Sequence, residues 1–185
     1  AVSTFIDRMR PDVMIAVMAR APSEPGKTRL LGPLGLVDGG PLRRAVLADT
    51  LETVARVEGV NRAILYTPIE SSDQFRRLMP CPFRLVAQRD GDLGDRLLGA
   101  FDDLRLLGFG AVVVIGSDLP TLPASLLVVA VERLRQTSRH LVIGPSVDGG
   151  YYLMGLTRPA PGLFAGMPWS TNEVLRLTRE RAAGL

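Results

Sequence analysis

Short apolar runs alternate with longer amphipathic segments along most of the 185-residue chain. Runs of branched aliphatic residues, such as AVVVIG at 111–116, are typical of strands covered on both faces. Other segments place apolar residues three or four positions apart, which is the spacing of one helix face. The predicted strands span residues 13–19, 60–67, 83–87, 111–116, 141–144 and 151–156. The predicted helices span residues 41–59, 73–79, 95–107, 124–136 and 170–182.

Residue types at two helix ends support these boundaries. Pro41 suits a first helical turn, where its missing N–H is not needed. Ser170 stands three positions before Glu173, which is the spacing of a capping box at the start of the last helix. We therefore expect the Ser170 side chain to cap that helix.

The alternation of strands and helices predicts an α/β fold with a mostly parallel sheet between helical layers. The sequence leaves open whether the strand at 151–156 runs parallel or antiparallel to its neighbours. No repeat, linker or low-complexity segment divides the chain. We therefore expect an N-terminal tail at residues 1–10 and a single domain at residues 11–185.

Ligands of open α/β sheets bind outside the carboxyl ends of the strands. This rule selects the loops after the strands at 13–19, 83–87, 111–116 and 141–144 as the candidate site. The unusual chemistry of the sequence falls in these four loops.

The first of these loops holds the single lysine of the chain, Lys27, in the stretch APSEPGKT. The stretch resembles a P-loop, but Pro22 and Pro25 remove two of the backbone donors that such a loop needs. Lys27, Arg29 and Arg20 instead predict another kind of phosphate site, with Gly26 allowing close approach. A solvated surface loop is the alternative.

Two carboxylates follow two further strands. Asp118 comes directly after the strand at 111–116, and Asp148 precedes two glycines after the strand at 141–144. Each alone is also typical of a turn. On neighbouring strand ends they could together hold Mg²⁺ or Mn²⁺, because hard cations prefer oxygen ligands, and the ion would neutralise a diphosphate.

Five motifs occur in the order found in a family of small transferases. They are AVMARAPSEPGKTRL, QRDGDLGDRL, GSDLPTLP, DGGYYLMGL and MPWST. The chain thereby resembles the GT-A-type glycosyltransferase-like proteins, also called radical-SAM- or selenodomain-associated transferases. More distantly it is similar to molybdenum-cofactor guanylyltransferases and 2-phospho-lactate guanylyltransferase. The resemblance implies the three-layer GT-A fold of nucleotide-diphospho-sugar transferases.

The resemblance also implies roles for single residues. Nucleotide-binding residues would be Ala19, Arg20, Gly26, Lys27, Arg29, Gln88, Gly91 and Gly94. Catalytic residues would be Asp118, Asp148 and Lys27, with both aspartates as metal ligands. The acceptor side would hold Gly149, Gly150, Trp169, Ser170 and Thr171. This chain has Ser117-Asp118-Leu119 where the fold usually has Asp-x-Asp, so one carboxylate is missing.

The expected activity is a metal-dependent transferase that uses a nucleotide or nucleotide-sugar and a small-molecule acceptor. One alternative is a nucleotidyltransferase that acts on a small phosphorylated substrate. Another is a non-catalytic nucleotide-binding domain on the same scaffold, which the missing carboxylate favours. Motif order favours the glycosyltransferase-like form.

Charge and composition narrow the class of partner. The 22 basic and 19 acidic side chains give a formal net charge of +3 and form no basic cluster, which argues against a nucleic-acid partner. No segment is apolar for long enough to suggest a membrane partner. A single cysteine and no apolar leader suggest a cytoplasmic protein. The sequence leaves the oligomeric state open.

Overall fold

The computed structural model describes residues 12–24, 38–136 and 140–184. The strands are β1 (Val13–Arg20), β2 (Asn61–Thr67), β3 (Arg84–Ala87), β4 (Ala111–Gly116), β5 (Leu141–Pro145) and β6 (Tyr151–Leu156). The α-helices are α1 (Gly40–Ala55), α2 (Ser72–Arg76), α3 (Leu93–Leu106), α4 (Ala124–Arg135) and α5 (Val174–Ala182). Short 3₁₀ turns occupy Ile69–Ser71 and Pro161–Leu163. Each of these strands and α-helices lies within a segment for which the sequence predicts that element, or within a few residues of it.

The strands form one sheet in the order β3-β2-β1-β4-β6-β5. The first four strands are parallel, with Met18 of β1 level with Gly116 of β4. β6 runs antiparallel to both of its neighbours, β4 and β5. The mostly parallel sheet predicted from the sequence is confirmed. The direction of β6, which the sequence left open, is antiparallel.

Helices cover both faces of the sheet, because alternate strand residues point to opposite sides. Ile15 and Val17 of β1 pack in a core with residues of α1, α2 and α4. Met14 and Ala16 of β1 pack in a second core with residues of α3. The predicted three-layer architecture is confirmed.

The predicted capping box at the last helix is wrong. α5 begins at Val174, and its N-cap residue, Glu173, makes no side-chain cap hydrogen bond. Ser170 has a positive φ of 64° and so lies outside the helix. Thr171 instead donates to the Pro168 carbonyl oxygen at 2.8 Å, which holds this segment in a turn before the helix begins.

The candidate site lies at one end of the strands of the sheet. The four parallel strands end there, β5 leaves the sheet there, and β6 enters it there. β6 separates β4 from β5, so the expectation that Asp118 and Asp148 follow neighbouring strands is wrong. Two strand spacings amount to about 10 Å, which is too far for both carboxylates to share one ion without the loops converging.

Candidate active site

A cavity of about 410 Å³ lies at the carboxyl ends of the first three strands. We call it the β1–β3 cavity. Its lining contains four of the residues predicted to bind a nucleotide, namely Ala19, Arg20, Gln88 and Gly91. The remaining lining residues are Met18, Thr67, Asp92, Leu93 and Arg96. The structure therefore brings together residues from two of the predicted loops, those after β1 and β3, with Thr67 at the end of β2.

The side-chain amide of Gln88 is fixed in one orientation. Its Nε2 donates to the carbonyl oxygens of Leu65 at 2.7 Å and Ala19 at 3.2 Å. Since both acceptors are carbonyls, the nitrogen and oxygen of this amide cannot be exchanged. Oε1 receives no hydrogen bond from the described residues, so it can accept one from the N–H of a ligand.

The loop from Gly91 to Asp95 is built by a capping box that sequence reasoning missed. The Asp95 N–H donates to Asp92 Oδ1 at 2.9 Å, and the Asp92 N–H donates to Asp95 Oδ2 at 3.1 Å. Gly91 has a φ of 117°, and a Cβ there would lie 2.5 Å from Asp95 Oδ2. Only glycine fits this position.

The same loop orients Arg96, another residue that sequence reasoning missed. Arg96 Nε donates to the Gly91 carbonyl oxygen at 3.0 Å, and Arg96 lines the β1–β3 cavity. Recognition of Asp92 and Asp95 as a cap would have placed Arg96 one turn into α3, beside this cavity.

Gly94 is buried and does not line the β1–β3 cavity. A Cβ at Gly94 would lie 3.0 Å from Nε1 of Trp169 and 3.1 Å from the Phe164 carbonyl oxygen. The absence of a side chain therefore lets the Trp169 indole pack against the first turn of α3.

A second cavity, of about 430 Å³, lies between the start of β6 and the start of α5. We call it the β6–α5 cavity. Its lining contains Asp148 and four of the predicted acceptor-side residues, namely Gly150, Trp169, Ser170 and Thr171. The remaining lining residues are Leu93, Ser146, Tyr151, Asn172 and Val174.

Gly149, the fifth predicted acceptor-side residue, joins the β5–β6 loop to the segment before α5. It has a φ of 83°, and a Cβ there would lie 2.2 Å from the Asn172 carbonyl oxygen. Its own carbonyl oxygen accepts a hydrogen bond from the Leu175 N–H at 2.8 Å. The two walls of the β6–α5 cavity are thus held together at this glycine.

The carboxylate of Asp148 is exposed and ionised. Oδ1 accepts hydrogen bonds from the Ser146 hydroxyl and from the Gly150 N–H. The Ser146 bond, followed by the Gly150 bond, lowers the pKa of Asp148 below its ordinary value. Both of these bonds reach Oδ1, which leaves Oδ2 for a ligand in the cavity.

An apolar slot of about 190 Å³ lies between the two cavities. It is lined by Met18, Leu93, Leu97, Val114, Ile115, Gly116, Tyr151, Tyr152, Leu153 and Met154. Leu93 lines the slot and both cavities, while Met18 and Tyr151 each line the slot and one of them. The three hollows therefore adjoin one another around Leu93, and together we call them the groove.

Two aromatic residues beside the β6–α5 cavity bury polar atoms. The Tyr151 hydroxyl and Trp169 Nε1 have no hydrogen-bond partner among the described residues. Burial raises the pKa of Tyr151 to about 12, and the nearby Thr178 hydroxyl offsets part of that rise. Tyr151 therefore stays protonated at neutral pH and presents its ring to the cavity.

Asp118 is exposed just beyond β4, two residues after Gly116. It lines none of the three hollows. The Ser117 hydroxyl lies 3.3 Å from Asp118 Oδ1. The buried Thr50 of α1 contacts the backbone on either side of Asp118. Its Oγ1 lies 3.1 Å from the Ser117 carbonyl oxygen and accepts a hydrogen bond from the Leu119 N–H at 3.3 Å.

The donor set suits a cation bound chiefly by substrate. The described ranges contain no group of three or more His, Cys, Asp or Glu side chains placed to hold a metal ion. Mg²⁺ commonly uses only one or two carboxylates and takes its other ligands from phosphates and water. A single carboxylate such as Asp118 is compatible with that kind of site.

Three predicted nucleotide-binding residues, Gly26, Lys27 and Arg29, lie outside the described residues. The phosphate contacts expected of Lys27 and Arg29 stay a prediction. In the described part of the chain, no helix has both the length and the apolarity to cross a bilayer.

A solved structure with clear sequence similarity comes from Desulfovibrio desulfuricans G20 and is provisionally described as a nucleotide-diphospho-sugar transferase. It is 30% identical, with a TM-score of 0.82, and the match covers 93% of this chain and 75% of that one.

Two more distant structures share the fold alone. CMP:2-keto-3-deoxy-manno-octonic acid synthetase complexed with CTP is 14% identical, with a TM-score of 0.58 over 94% of this chain and 86% of that one. Glucosyl-3-phosphoglycerate synthase of M. tuberculosis is 12% identical, with a TM-score of 0.58 over 98% and 71%. Together with the D. desulfuricans structure, they confirm the predicted nucleotide-diphospho-sugar transferase fold.

No curated protein matches the chain in sequence. The model of the family described as "Uncharacterized protein conserved in bacteria (DUF2064)" matches residues 50–171. This stretch runs from the middle of α1 to the turn before α5, and so contains every described strand except β1 and most of the residues that line the groove. The chain therefore belongs to the DUF2064 family of bacterial proteins, on a nucleotide-diphospho-sugar transferase fold.

Proposed function

We propose that this chain is a glycosyltransferase-like enzyme that uses a nucleotide-sugar donor and a small-molecule acceptor. The donor's nucleotide occupies the β1–β3 cavity, and the acceptor occupies the β6–α5 cavity. The observation that carries the proposal is the row of three adjoining hollows with Leu93 as a common wall. Such a row at the carboxyl edge of a parallel sheet suits two substrates that must meet.

The lining of the β1–β3 cavity matches the chemistry of a nucleotide. Arg20 and Arg96 supply positive charge for phosphate oxygens, and Arg can bind two such oxygens at once. The fixed Oε1 of Gln88 can accept a hydrogen bond from an N–H group of the base. This arrangement favours bases that present an N–H donor.

Asp118, which follows β4 at the same end of the sheet, is the candidate ligand for Mg²⁺ or Mn²⁺ beside the donor phosphates. When bound, such an ion neutralises charge on the departing diphosphate. The contribution of the chain is to fix the carboxylate, through the contacts of Thr50 with the backbone on either side of Asp118. Lys27 and Arg29 are further candidates for phosphate contacts from the loop after β1.

The transfer forms a bond between an acceptor oxygen or nitrogen and the anomeric carbon of the sugar. The bond between that carbon and the diphosphate oxygen breaks, and its electron pair leaves with the nucleoside diphosphate. The acceptor proton passes to Asp148 and then to water. A carboxylate with a low pKa can serve, because the proton becomes acidic only as the new bond forms.

Nucleotidyl transfer is the second candidate. A structure of similar fold, CMP:2-keto-3-deoxy-manno-octonic acid synthetase, was solved in complex with CTP. In that reaction a nucleophilic oxygen of the substrate attacks the α-phosphorus of a nucleoside triphosphate, and pyrophosphate departs. The two candidates share the nucleotide cavity and differ in donor and leaving group.

Thermal melting with a panel of nucleoside triphosphates and UDP-, GDP- and CDP-sugars, with and without Mn²⁺, tests the proposal. We expect Mn²⁺-dependent stabilisation by a nucleotide-sugar, lost in Asp118→Asn and weakened in Arg96→Met. The matched controls are Asp73→Asn and Arg84→Met, which alter exposed residues away from the groove. Stabilisation that ignores both Mn²⁺ and Asp118 would indicate a non-catalytic binding domain, and no stabilisation by any nucleotide would refute nucleotide binding.

A further inference from the structure

The two cavities of the groove differ in charge. The β1–β3 cavity has Arg20 and Arg96 in its lining. Its carboxylate, Asp92, is engaged in the capping box of α3. The lining of the β6–α5 cavity has Asp148 as its charged side chain within the described ranges. The groove therefore offers positive charge at one end and negative charge at the other.

The other polar groups of the β6–α5 cavity are neutral and small. They are the hydroxyls of Ser146, Ser170 and Thr171 and the amide of Asn172. Ser146 already donates to Asp148, and Thr171 already donates to the Pro168 carbonyl oxygen. The groups that remain suit a hydroxylated or amino-bearing molecule, which can donate to Oδ2 of Asp148.

The remaining walls of this cavity are apolar. Leu93, Val174 and the rings of Tyr151 and Trp169 provide flat, non-polar surface next to the polar groups. A small ligand with carbon-bound hydrogens on one face and hydroxyl or amino groups on the other matches this mixed lining.

We infer that the β6–α5 cavity selects an acceptor that carries a free hydroxyl or amino group and no phosphate, such as an amino sugar or a polyol. This inference rests on the proposed function, because it assigns the second substrate of that reaction. A phosphorylated acceptor would bring its negative charge close to Asp148, where the two charges repel each other. Of the two candidate reactions, the inference favours sugar transfer over nucleotidyl transfer to a phosphorylated substrate.

The test uses Trp169, the only tryptophan of the chain, which lines this cavity. Its fluorescence is followed in the 185-residue chain during titration with paired probes at millimolar concentration. The pairs are glucosamine with glucosamine 6-phosphate and glycerol with glycerol 3-phosphate. We expect the unphosphorylated member of at least one pair to change the emission and to bind about tenfold more tightly than its phosphate ester.

Variants of Asp148 separate charge from shape. Asp148→Asn should abolish most of the tenfold preference, since it removes the charge and keeps the size of the side chain. Glu58→Gln is the matched control, an exposed acid before the start of β2 that should leave the preference unchanged. Equal or tighter binding of the phosphate esters overturns the inference, and so does an emission that none of the four probes changes.

Failure of the proposed function would look different. Nucleotide stabilisation in the melting panel depends on the β1–β3 cavity and Asp118, whereas the tryptophan titration depends on the β6–α5 cavity and Asp148. If the protein binds no nucleotide but discriminates between the probes, the inferred acceptor selectivity stands and the proposed transfer reaction is refuted. If the protein binds nucleotide but prefers the phosphate esters, the nucleotide site stands and the inferred acceptor class is refuted.

Discussion

The Thr50 hydroxyl, buried on α1, lies 3.1 Å from the carbonyl oxygen of Ser117, the residue before Asp118. The same hydroxyl lies 2.9 Å from the Val46 carbonyl oxygen and accepts from the Leu119 N–H at 3.3 Å. A helix that is remote from the groove thus fixes the backbone on both sides of the candidate metal ligand.

Thr50→Val should therefore weaken metal-dependent nucleotide binding while the fold is kept. Valine has nearly the same shape but leaves the Leu119 N–H without its partner, which costs about 1–3 kcal/mol of unfolding free energy. Chemical denaturation and melting with nucleotide and Mn²⁺ measure the two effects. Thr53→Val, one turn later and also buried, is the control. Equal losses of stability and of nucleotide binding in both variants would show that Thr50 acts only as a core residue.

Asp92→Ala should destabilise α3 and distort the β1–β3 cavity. The substitution removes the carboxylate that accepts from the Asp95 N–H, which is one half of the capping box, and the loss of an N-cap costs about 1 kcal/mol. For a chain of this size the melting temperature should fall by about 2–4 °C. Asp90→Ala changes the same charge in the same exposed loop and should leave the melting temperature unchanged. A similar fall in both variants would mean that charge, not capping, is responsible.

Gly94→Ala should displace Trp169 and change its fluorescence. A Cβ at this position would lie 3.0 Å from the indole nitrogen and 3.1 Å from a backbone oxygen, so the ring has to move. We expect a shift in the emission maximum and weaker binding of glucosamine in the β6–α5 cavity. Gly162→Ala is the control, because a Cβ there meets nothing within 4 Å. Unchanged emission in Gly94→Ala would show that the ring does not depend on this glycine.

The strands can be predicted from the sequence because they are strongly apolar runs that lie between turn residues. β4 and β6 match the predicted ranges exactly, since both are bounded by glycines or turn residues. The order of the strands is harder to predict. The insertion of β6 between β4 and β5 depends on long-range pairing that no local pattern records.

Candidate residues could be predicted where their own side chains would contact a ligand. They were harder to predict where their role is to hold another residue in place. Asp148 could be selected because it follows a predicted strand, and Gln88 because it lies in the motif QRDGDLGDRL that carries the family resemblance. Thr50 could not, because nothing in the local sequence distinguishes it from the other buried positions of α1. Ser170 and Glu173 have the spacing of a capping box, yet the positive φ of Ser170 and the local bond from Thr171 to Pro168 hold that segment in a turn.

Ser146→Ala should raise the pKa of Asp148 toward its ordinary value. The Ser146 hydroxyl is the largest cause of the lowered pKa, so the folded state favours the ionised carboxylate. That contribution to stability is present above the pKa of the unfolded chain and is lost as the pH falls through the folded pKa. Carbon-13 NMR titration of the aspartate carboxyls measures the change. Ser125→Ala on the exposed side of α4 is the control, and an unchanged Asp148 titration in Ser146→Ala would contradict the assigned cause.

Tyr151→Phe should leave the chain at least as stable as the wild type. The Tyr151 hydroxyl is buried with no hydrogen-bond partner among the described residues, and the nearby Thr178 hydroxyl already donates to the Val174 carbonyl oxygen, so removal of the Tyr151 hydroxyl leaves no group unsatisfied. The difference should grow in favour of the variant as the pH rises above 10. In the wild type the folded pKa of Tyr151 is raised to about 12, so the unfolded chain loses its proton first and unfolding becomes easier.

Urea denaturation at pH 7 and at alkaline pH compares the unfolding free energies of the two proteins. Tyr152→Phe is the control, because its ring packs in the other core and its hydroxyl is not among the unpartnered buried atoms. A Tyr151→Phe protein that is less stable than the wild type at pH 7 would mean that the hydroxyl has a stabilising partner. A difference that stays constant between neutral and alkaline pH would mean that the Tyr151 pKa is not raised.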